Sequence, residues 1–146
     1  PSFGLDRAIM ALLIEAYTQE DLIGSKGKKE TRISLKLSPS VAPVQVAILP
    51  LSKKDVLAEL AIEIYKNIKY SGVVKPLVYY DETQSIGRRY RRQDEIGTPL
   101  CITVDFESLD DKAVTIRERD SMSQKRVPID KLEDEIVSIL SPKVHG

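Results

Sequence analysis

Val44-Gln45-Val46-Ala47-Ile48-Leu49-Pro50 decides the fold. From Val44 to Leu49 the run is almost wholly apolar. That is the pattern of a strand covered on both faces, and such strands belong to parallel sheets flanked by helices. Pro50 closes the run, because it has no N–H with which to extend a ladder. Ser52 and Asp55 then predict a helix start, and Val56, Leu57, Leu60, Ala61, Ile64 and Ile68 recur at helical spacing as one buried stripe. Gly72 is expected to stop that helix. A second strand is predicted over Val74–Asp81 and a third over Thr98–Phe106, with a short helix between them. Strand, helix, strand, helix, strand reads as two right-handed crossovers.

Downstream the pattern changes. Asp110-Asp111-Lys112 predicts a turn between strands. Val114 and Ile116 face one way, and Thr115, Arg117 and Arg119 the other. Met122-Ser123-Gln124 breaks the pattern before Lys125–Ile129, so an antiparallel meander is expected on one side of the sheet. Asp130 and Glu133 cap a last helix with Leu132, Ile136, Ile139 and Leu140 on its apolar face. The fold expected after Pro43 is α/β: a mixed sheet of five strands flanked by three helices.

Upstream, residues 5–17 read as an amphipathic helix with Leu5, Ile9, Leu12, Leu13 and Ala16 on one stripe. Residues 18–31, centred on Gly24-Ser25-Lys26-Gly27-Lys28-Lys29, read as a solvated loop. Ile33, Leu35 and Leu37 alternate with Ser34 and Lys36, which predicts a strand with one wet face. Ser38–Pro43 is the connector, and it divides the chain into residues 1–40 and 41–146. The stripe of residues 5–17 is expected to dock elsewhere or against a second copy. Structured-looking sequence follows Pro1 at once, so a piece of a longer protein is expected.

Composition removes several function classes. With 146 residues the chain suits one domain and a short appended piece. Lys plus Arg equal Asp plus Glu at 22 each, so the chain as a whole is not an electrostatic nucleic-acid binder. Any nucleic-acid site has to be a local patch, or has to read base edges more than it collects phosphates. One cysteine, Cys101, lies in an apolar run and reads as a buried small hydrophobe, which excludes an internal disulfide and a cysteine-based zinc site. The one histidine, His145, argues against histidine general-base chemistry and histidine-rich metal sites. No apolar stretch reaches the roughly 18 residues of a membrane span, and no signal peptide opens the chain, so a cytosolic compartment is expected. There is no nucleophile–base pair and no phosphate loop of the Walker type. The paired carboxylates Asp94-Glu95 and Asp110-Asp111 read as solvated or salt-bridged rather than catalytic. A binding module remains.

Its candidate surface follows from charge and topology. Ser85-Ile86-Gly87-Arg88-Arg89-Tyr90-Arg91-Arg92-Gln93-Asp94-Glu95-Ile96-Gly97 places four arginines in five positions of a short helix. Arginine offers a planar fork of donors that matches phosphates and base edges. The alternative is a solvated helix whose arginines pair with its own acids, as Arg91 with Glu95 at i,i+4. Ligands of open α/β sheets gather at the carboxyl ends of the parallel strands. Here those ends are Leu49-Pro50-Leu51, Tyr80-Asp81 and Asp105-Phe106. Tyr80 is a candidate to stack on an unpaired base, or else packs at the strand end, and Asp or Arg side chains are candidates for its edge.

Several separated segments also carry a resemblance. Val41-Ala42-Pro43, Leu49-Pro50-Leu51, Ser85–Tyr90, Asp94–Gly97, Thr103–Phe106 and Arg117-Glu118-Arg119-Asp120-Ser121-Met122 occur in one order. Together they resemble the C-terminal anticodon-binding domain of the class II glycyl-tRNA synthetases of the dimeric archaeal/eukaryotic-like type, a domain shared with histidyl, prolyl and threonyl synthetases. Pro1-Ser2-Phe3-Gly4-Leu5-Asp6-Arg7 resembles the third signature motif of class II catalytic domains. The resemblance implies a parent that joins glycine to tRNA(Gly) using ATP with Mg2+ and works as a homodimer, with Arg7 at the ATP and Ser2 at the glycine. The other class II motifs precede this one and are absent here, so the piece alone is not expected to make glycyl-adenylate. The resemblance further implies that residues 41–146 read an anticodon with cytosines at its second and third positions. Asp81, Asp94 and Glu95 are then candidate acceptors for the cytosine amino group, Tyr80 a stacking platform, and Arg88, Arg89, Arg117 and Arg119 candidate phosphate or base contacts. No metal site is implied. Two other classes stay open: a non-catalytic, synthetase-related adaptor, and a small-molecule domain binding a nucleotide at its strand ends. Retention of Gly4-Leu5-Asp6-Arg7 argues against the first, and the missing glycine-rich phosphate loop against the second.

Overall fold

The computed structural model describes residues 4–23, 27, 29–71 and 77–141. The Val44–Pro50 run is the second strand from one edge of a five-stranded sheet, as β3 (Val46–Pro50). It lies parallel to β4 (Val78–Tyr80) on one side and to β5 (Leu100–Val104) on the other. Antiparallel β6 (Ala113–Glu118) and β7 (Gln124–Pro128) continue the sheet beyond β5, giving the order β4-β3-β5-β6-β7. All five residues of β3 and of β5 are buried, which is why their sequences read as nearly continuous apolar runs; Thr103 of β5 is the polar exception, and its hydroxyl pairs with the Tyr90 hydroxyl.

Alternate residues of these strands feed two cores. Val46, Ile48, Leu100, Ile102 and Val104 join Val114 and Ile116 beneath α2 (Asp55–Tyr70) and α5 (Leu132–Leu140). From α2 come Leu57, Ala61, Ile64 and Ile68, whereas Val56, expected in the stripe, points to solvent. Lys54 rather than Ser52 precedes the helix, with no side-chain cap. Ala47, Leu49 and Cys101 face the other way and meet Ile86 and Tyr90 of α3 (Ile86–Ile96). The predicted Gly72 stop and the start of the second predicted strand lie outside the described residues.

Four further details differ from the sequence reading. The stretch Glu107–Asp111 is a short helix, α4, rather than a turn, so a fourth α-helix follows Pro43. A 3-10 turn, Ile129–Lys131, takes the place of the expected cap on α5. The polar stretch 18–31 is largely strand: β1 (Tyr17–Ile23) pairs antiparallel with β2 (Lys29–Leu35). Around Arg32–Ser34 the expected faces are inverted, for Arg32 and Ser34 are buried while Ile33 is exposed; further on, Leu37 is buried and Lys36 exposed, as predicted. The covered face of this hairpin is polar because it lies along α3, where a carboxylate awaits Arg32.

The first helix, α1 (Leu5–Ala16), forms as predicted. Ala16 is its buried residue, and Leu5, Ile9, Leu12 and Leu13 are exposed. Among the described residues, no helix is long and apolar enough to cross a membrane.

Candidate nucleic-acid interface

Each parallel strand hands its carboxyl end directly to a helix: β3 to α2, β4 to α3 and β5 to α4. The three ends are laced together beyond the regular ladder. Leu51 N–H donates to the Val104 carbonyl at 2.7 Å, and Asp81 N–H to the Ile48 carbonyl at 3.1 Å. The first turns of α2 and α3 therefore open at this edge, and free N–H groups there favour negative charge.

Arg89 braces the edge from below. It is 2% exposed, and its Nη1 donates to the Pro50 carbonyl at 2.5 Å and the Asp81 carbonyl at 3.1 Å, tying the ends of β3 and β4 together. Burial holds its guanidinium below the ordinary arginine pKa, against the pull of Asp81. Asp81 is itself buried and accepts from Thr83 N–H at 2.8 Å, Thr83 Oγ1 at 2.6 Å and Arg92 Nη1. Burial pushes this carboxyl up, but the Thr83 bonds and the charges of Arg92 and Arg89 outweigh it and keep it below the usual range. Tyr80 packs edge-on to Tyr65 and donates to Glu82 Oε2 at 2.8 Å. Burial, then the bond to Glu82, push its phenol up to about 12.

A second cluster sits at the far end of α3. Asp94 Oδ1 accepts from Arg117 Nη1 at 2.9 Å, and Oδ2 accepts from Arg117 Nη2 at 3.1 Å and Arg32 Nε at 2.9 Å. The Arg117 guanidinium lies 4.8 Å from the centre of the Tyr90 ring. Arg119 Nη1 donates to the Gly97 carbonyl at 2.8 Å, and the same guanidinium grips Asp120. Gly97 caps α3 at φ 87°, where a Cβ would come within 2.8 Å of Leu37 Cδ1.

The sequence-derived candidates thus divide. Tyr80, Asp81 and Arg89 converge at the strand ends, while Asp94, Arg117 and Arg119 converge at the end of α3. Of these six, Tyr80 keeps partial exposure; the other five are buried with partners inside the protein. A buried, paired charge is costly to uncouple, so these five hold the frame in place. Arg91 pairs with Glu30 of β2 and not with Glu95. Arg88 and Glu95 are exposed, and Arg88 has no carboxylate partner among the described residues. Next to Arg88, Gly87 leaves open space where a Cβ would stand. Arg7 is exposed on α1, on a separate element from the strand ends, and Ser2 lies outside the described residues.

Two groups escaped the sequence reading. Phe106 is 44% exposed at the end of β5, with Lys54 Nζ 4.9 Å from its ring centre. Its place is set by Asp105, which bonds Ser108 and Arg126. The sequence shows Asp105-Phe106 as a strand end, but α4, which follows it directly, has no apolar period to betray it. Arg32 and Glu20 lay in or beside the stretch read as a loop. Among the described residues, no three His, Cys, Asp or Glu side chains are placed to hold a metal ion.

This sheet order, with helices on both faces and an open edge at its parallel strand ends, defines an α/β module of the kind carried by class II tRNA synthetases. Prolyl-tRNA synthetase from Cryptosporidium parvum, complexed with halofuginone and AMPPNP, superposes with a TM-score of 0.66 at 24% identity, over 82% of this chain and 30% of that one. The RNA binding domain of threonyl-tRNA synthetase from Cryptosporidium parvum Iowa II gives 0.62 at 24% identity, over 73% of this chain and 26% of that one. At that identity the likeness speaks for the fold. The model of the anticodon binding domain family matches residues 45–139, and the chain belongs to that family. Among curated relatives, the glycine–tRNA ligase of Clostridium acetobutylicum is 56% identical over 133 residues, covering 91% of this chain and 27% of its own length. That of Bifidobacterium longum is 48% identical over 143 residues, covering 98% of this chain and 29% of its own length. The chain thus spans under a third of these relatives.

Proposed function

We propose that this chain is the anticodon-reading part of a glycine–tRNA ligase and that its strand-end edge binds the single-stranded anticodon loop of tRNA(Gly). The observation that carries the reading is identity near 50% to glycine–tRNA ligases across nearly the whole chain, not the family range alone. The edge has suitable chemistry. Phe106 and the half-buried Tyr80 offer ring surface for unpaired bases, and Lys54 and Arg88 offer positive charge; the exposed carboxylate of Glu95 lies in the last turn of α3, away from this edge. Such a site needs few charges, which reconciles it with a chain of zero net charge. Asp81, Arg89, Asp94, Arg117 and Arg119 serve this reading by holding the edge in shape.

The wider assignments are part of the same proposal: a cytoplasmic homodimeric parent that uses ATP and Mg2+ to charge tRNA with glycine, and residues 1–40 as the end of its catalytic domain, with Ser2 toward glycine and Arg7 toward ATP. Of the residues assigned to ATP and glycine, the described ones offer one exposed guanidinium, that of Arg7 on α1, which by itself does not cradle a nucleotide.

The test is a fluorescence titration of this chain with the tRNA(Gly) anticodon stem-loop, against a loop altered at the second and third anticodon positions. A preference of at least tenfold for the cognate loop is expected. Equal affinity for both would refute base reading.

A further inference from the structure

The family range begins at residue 45, yet a buried charge cluster inside that range is completed from outside it, by Arg32. Arg32 is nearly fully buried, and each of its three nitrogens has a separate acceptor. Nε donates to Asp94 Oδ2 on α3 at 2.9 Å, Nη1 to Glu20 Oε2 on β1 at 3.0 Å, and Nη2 to the Arg119 carbonyl just past β6 at 2.5 Å. The contact is one rung of a series. Glu30 pairs with Arg91, Arg32 with Asp94, and Leu35 and Leu37 close on Gly97. Glu30 and Arg32 are two apart on a strand and share its face; Arg91 and Asp94 are three apart on a helix and share its side. The hairpin therefore runs along α3 and fixes both its rotation about its axis and its position along it. Glu20 is kept charged for this work, as Lys36 first and then Arg32 hold its carboxyl below the usual range. For Arg32, burial pulls the pKa down, and the bonds to Asp94 and Glu20 overcome it.

At the opposite end of α3, Gly87 and Arg88 stand exposed beside the strand ends. We infer that Arg32 is a positioning residue for RNA binding: through Asp94 it sets the placement of α3, and so of Arg88, at the anticodon-loop site. The hairpin then acts with the anticodon-binding domain even though the connector at residues 38–43 separates it in sequence. This inference rests on the proposed function and adds to it a residue that touches no RNA.

The test measures the dissociation constant of the cognate anticodon stem-loop for the unaltered chain, Arg32→Met, Arg88→Ala and the double variant, at a temperature where circular dichroism shows each to be folded. Arg32→Met is expected to weaken binding by roughly tenfold, within the range of coupling between distant sites. In the Arg88→Ala background the same change is expected to add less than about twofold, because the group it positions is gone. Should Arg32→Met fail to fold, Arg32→Lys carries the same test, since it keeps the charge and loses the fork. Binding unchanged by either Arg32 variant overturns the inference alone. So do losses that add in the double variant, or a loss from Arg32→Met where Arg88→Ala has none, since a merely structural role would not depend on Arg88. No binding by the unaltered chain overturns the functional reading and this inference with it.

Discussion

Replacing Asp94 by Asn tests the buried cluster most directly. The side chain keeps its shape and loses its charge. Three donor bonds from two guanidiniums, at 2.9, 2.9 and 3.1 Å, converge on the native carboxylate. Asn retains one oxygen, and its amide nitrogen turns donors toward donors. Arg32 and Arg117 are then two buried positive charges without their shared counter-charge. Breaking one partner from a buried pair costs about 3–5 kcal/mol. With a urea slope of about 2 kcal/mol per molar, the unfolding midpoint should fall by about 2 M. Glu30→Gln is the control, since the Arg91–Glu30 pair is half-exposed and should lose less than about 1 kcal/mol. A variant with Met, Leu and Met at 32, 94 and 117 should recover most of the loss, because an apolar replacement removes the burial penalty with the charges. A midpoint shift below about 0.3 M for Asp94→Asn, or one no larger than that of Glu30→Gln, would refute the claim that this cluster holds the hairpin to the sheet domain.

Other expectations follow from single positions. Gly97→Ala combines a left-handed φ with a Cβ 2.8 Å from Leu37 Cδ1 and 3.1 Å from the Leu35 carbonyl; a loss of about 2–3 kcal/mol is expected, read as a drop of about 8 °C in melting temperature. Gly97→Asn tolerates the φ but keeps the contact, so it should not restore stability. Adjacent arginines should part company. Arg88→Ala should leave the melting temperature nearly unchanged while weakening stem-loop binding and lowering its salt slope by about 1, whereas Arg89→Ala should lower the melting temperature sharply. On the acid side, Asp105 belongs with Asp81: burial pushes its carboxyl up, but Arg126 and then Ser108 hold it below the ordinary value of 3.8. Both groups bind fewer protons folded than unfolded, so their stabilisation is complete above that value and drains away as pH falls through the folded pKa values. Unfolding followed by circular dichroism should therefore steepen below about pH 4, and Asp105→Asn should flatten that slope.

The sheet was legible because β3 and β5 are buried on both faces, so nearly every residue had to be apolar, Thr103 being the one that meets a polar partner there. The buried stripe of α2 was legible because one side of a helix faces solvent. The hairpin was hidden for the opposite reason. Its covered face is carried by Arg32 and Ser34, and a polar residue that is buried against a charge looks in sequence like a residue in water. The arginine-rich helix is ambiguous in the same way: its composition is that of a binding surface, yet Arg89 lies under two strand ends and Arg91 pairs with an acid of the hairpin rather than with Glu95 of its own helix. Residue type announces that a guanidinium needs acceptors; whether they belong to the protein or to an RNA is settled by topology. Arg117 and Arg119 do lie on the face opposite Val114 and Ile116, as their alternation predicts. What covers that face, namely α3 and the hairpin, has no periodic signature pointing to it.

Cys101 has a consequence outside recognition altogether. It is the one thiol of the chain, buried beneath Ile86 and Tyr90 of α3, and burial pushes its pKa up to about 12. A thiol so placed is both inaccessible and protonated, and reacts when α3 lifts from the sheet or the whole domain opens. Its alkylation rate is thus an internal clock for detachment of that helix. Arg32→Met should quicken the clock well before any loss of secondary structure appears, and a bound anticodon loop should slow it.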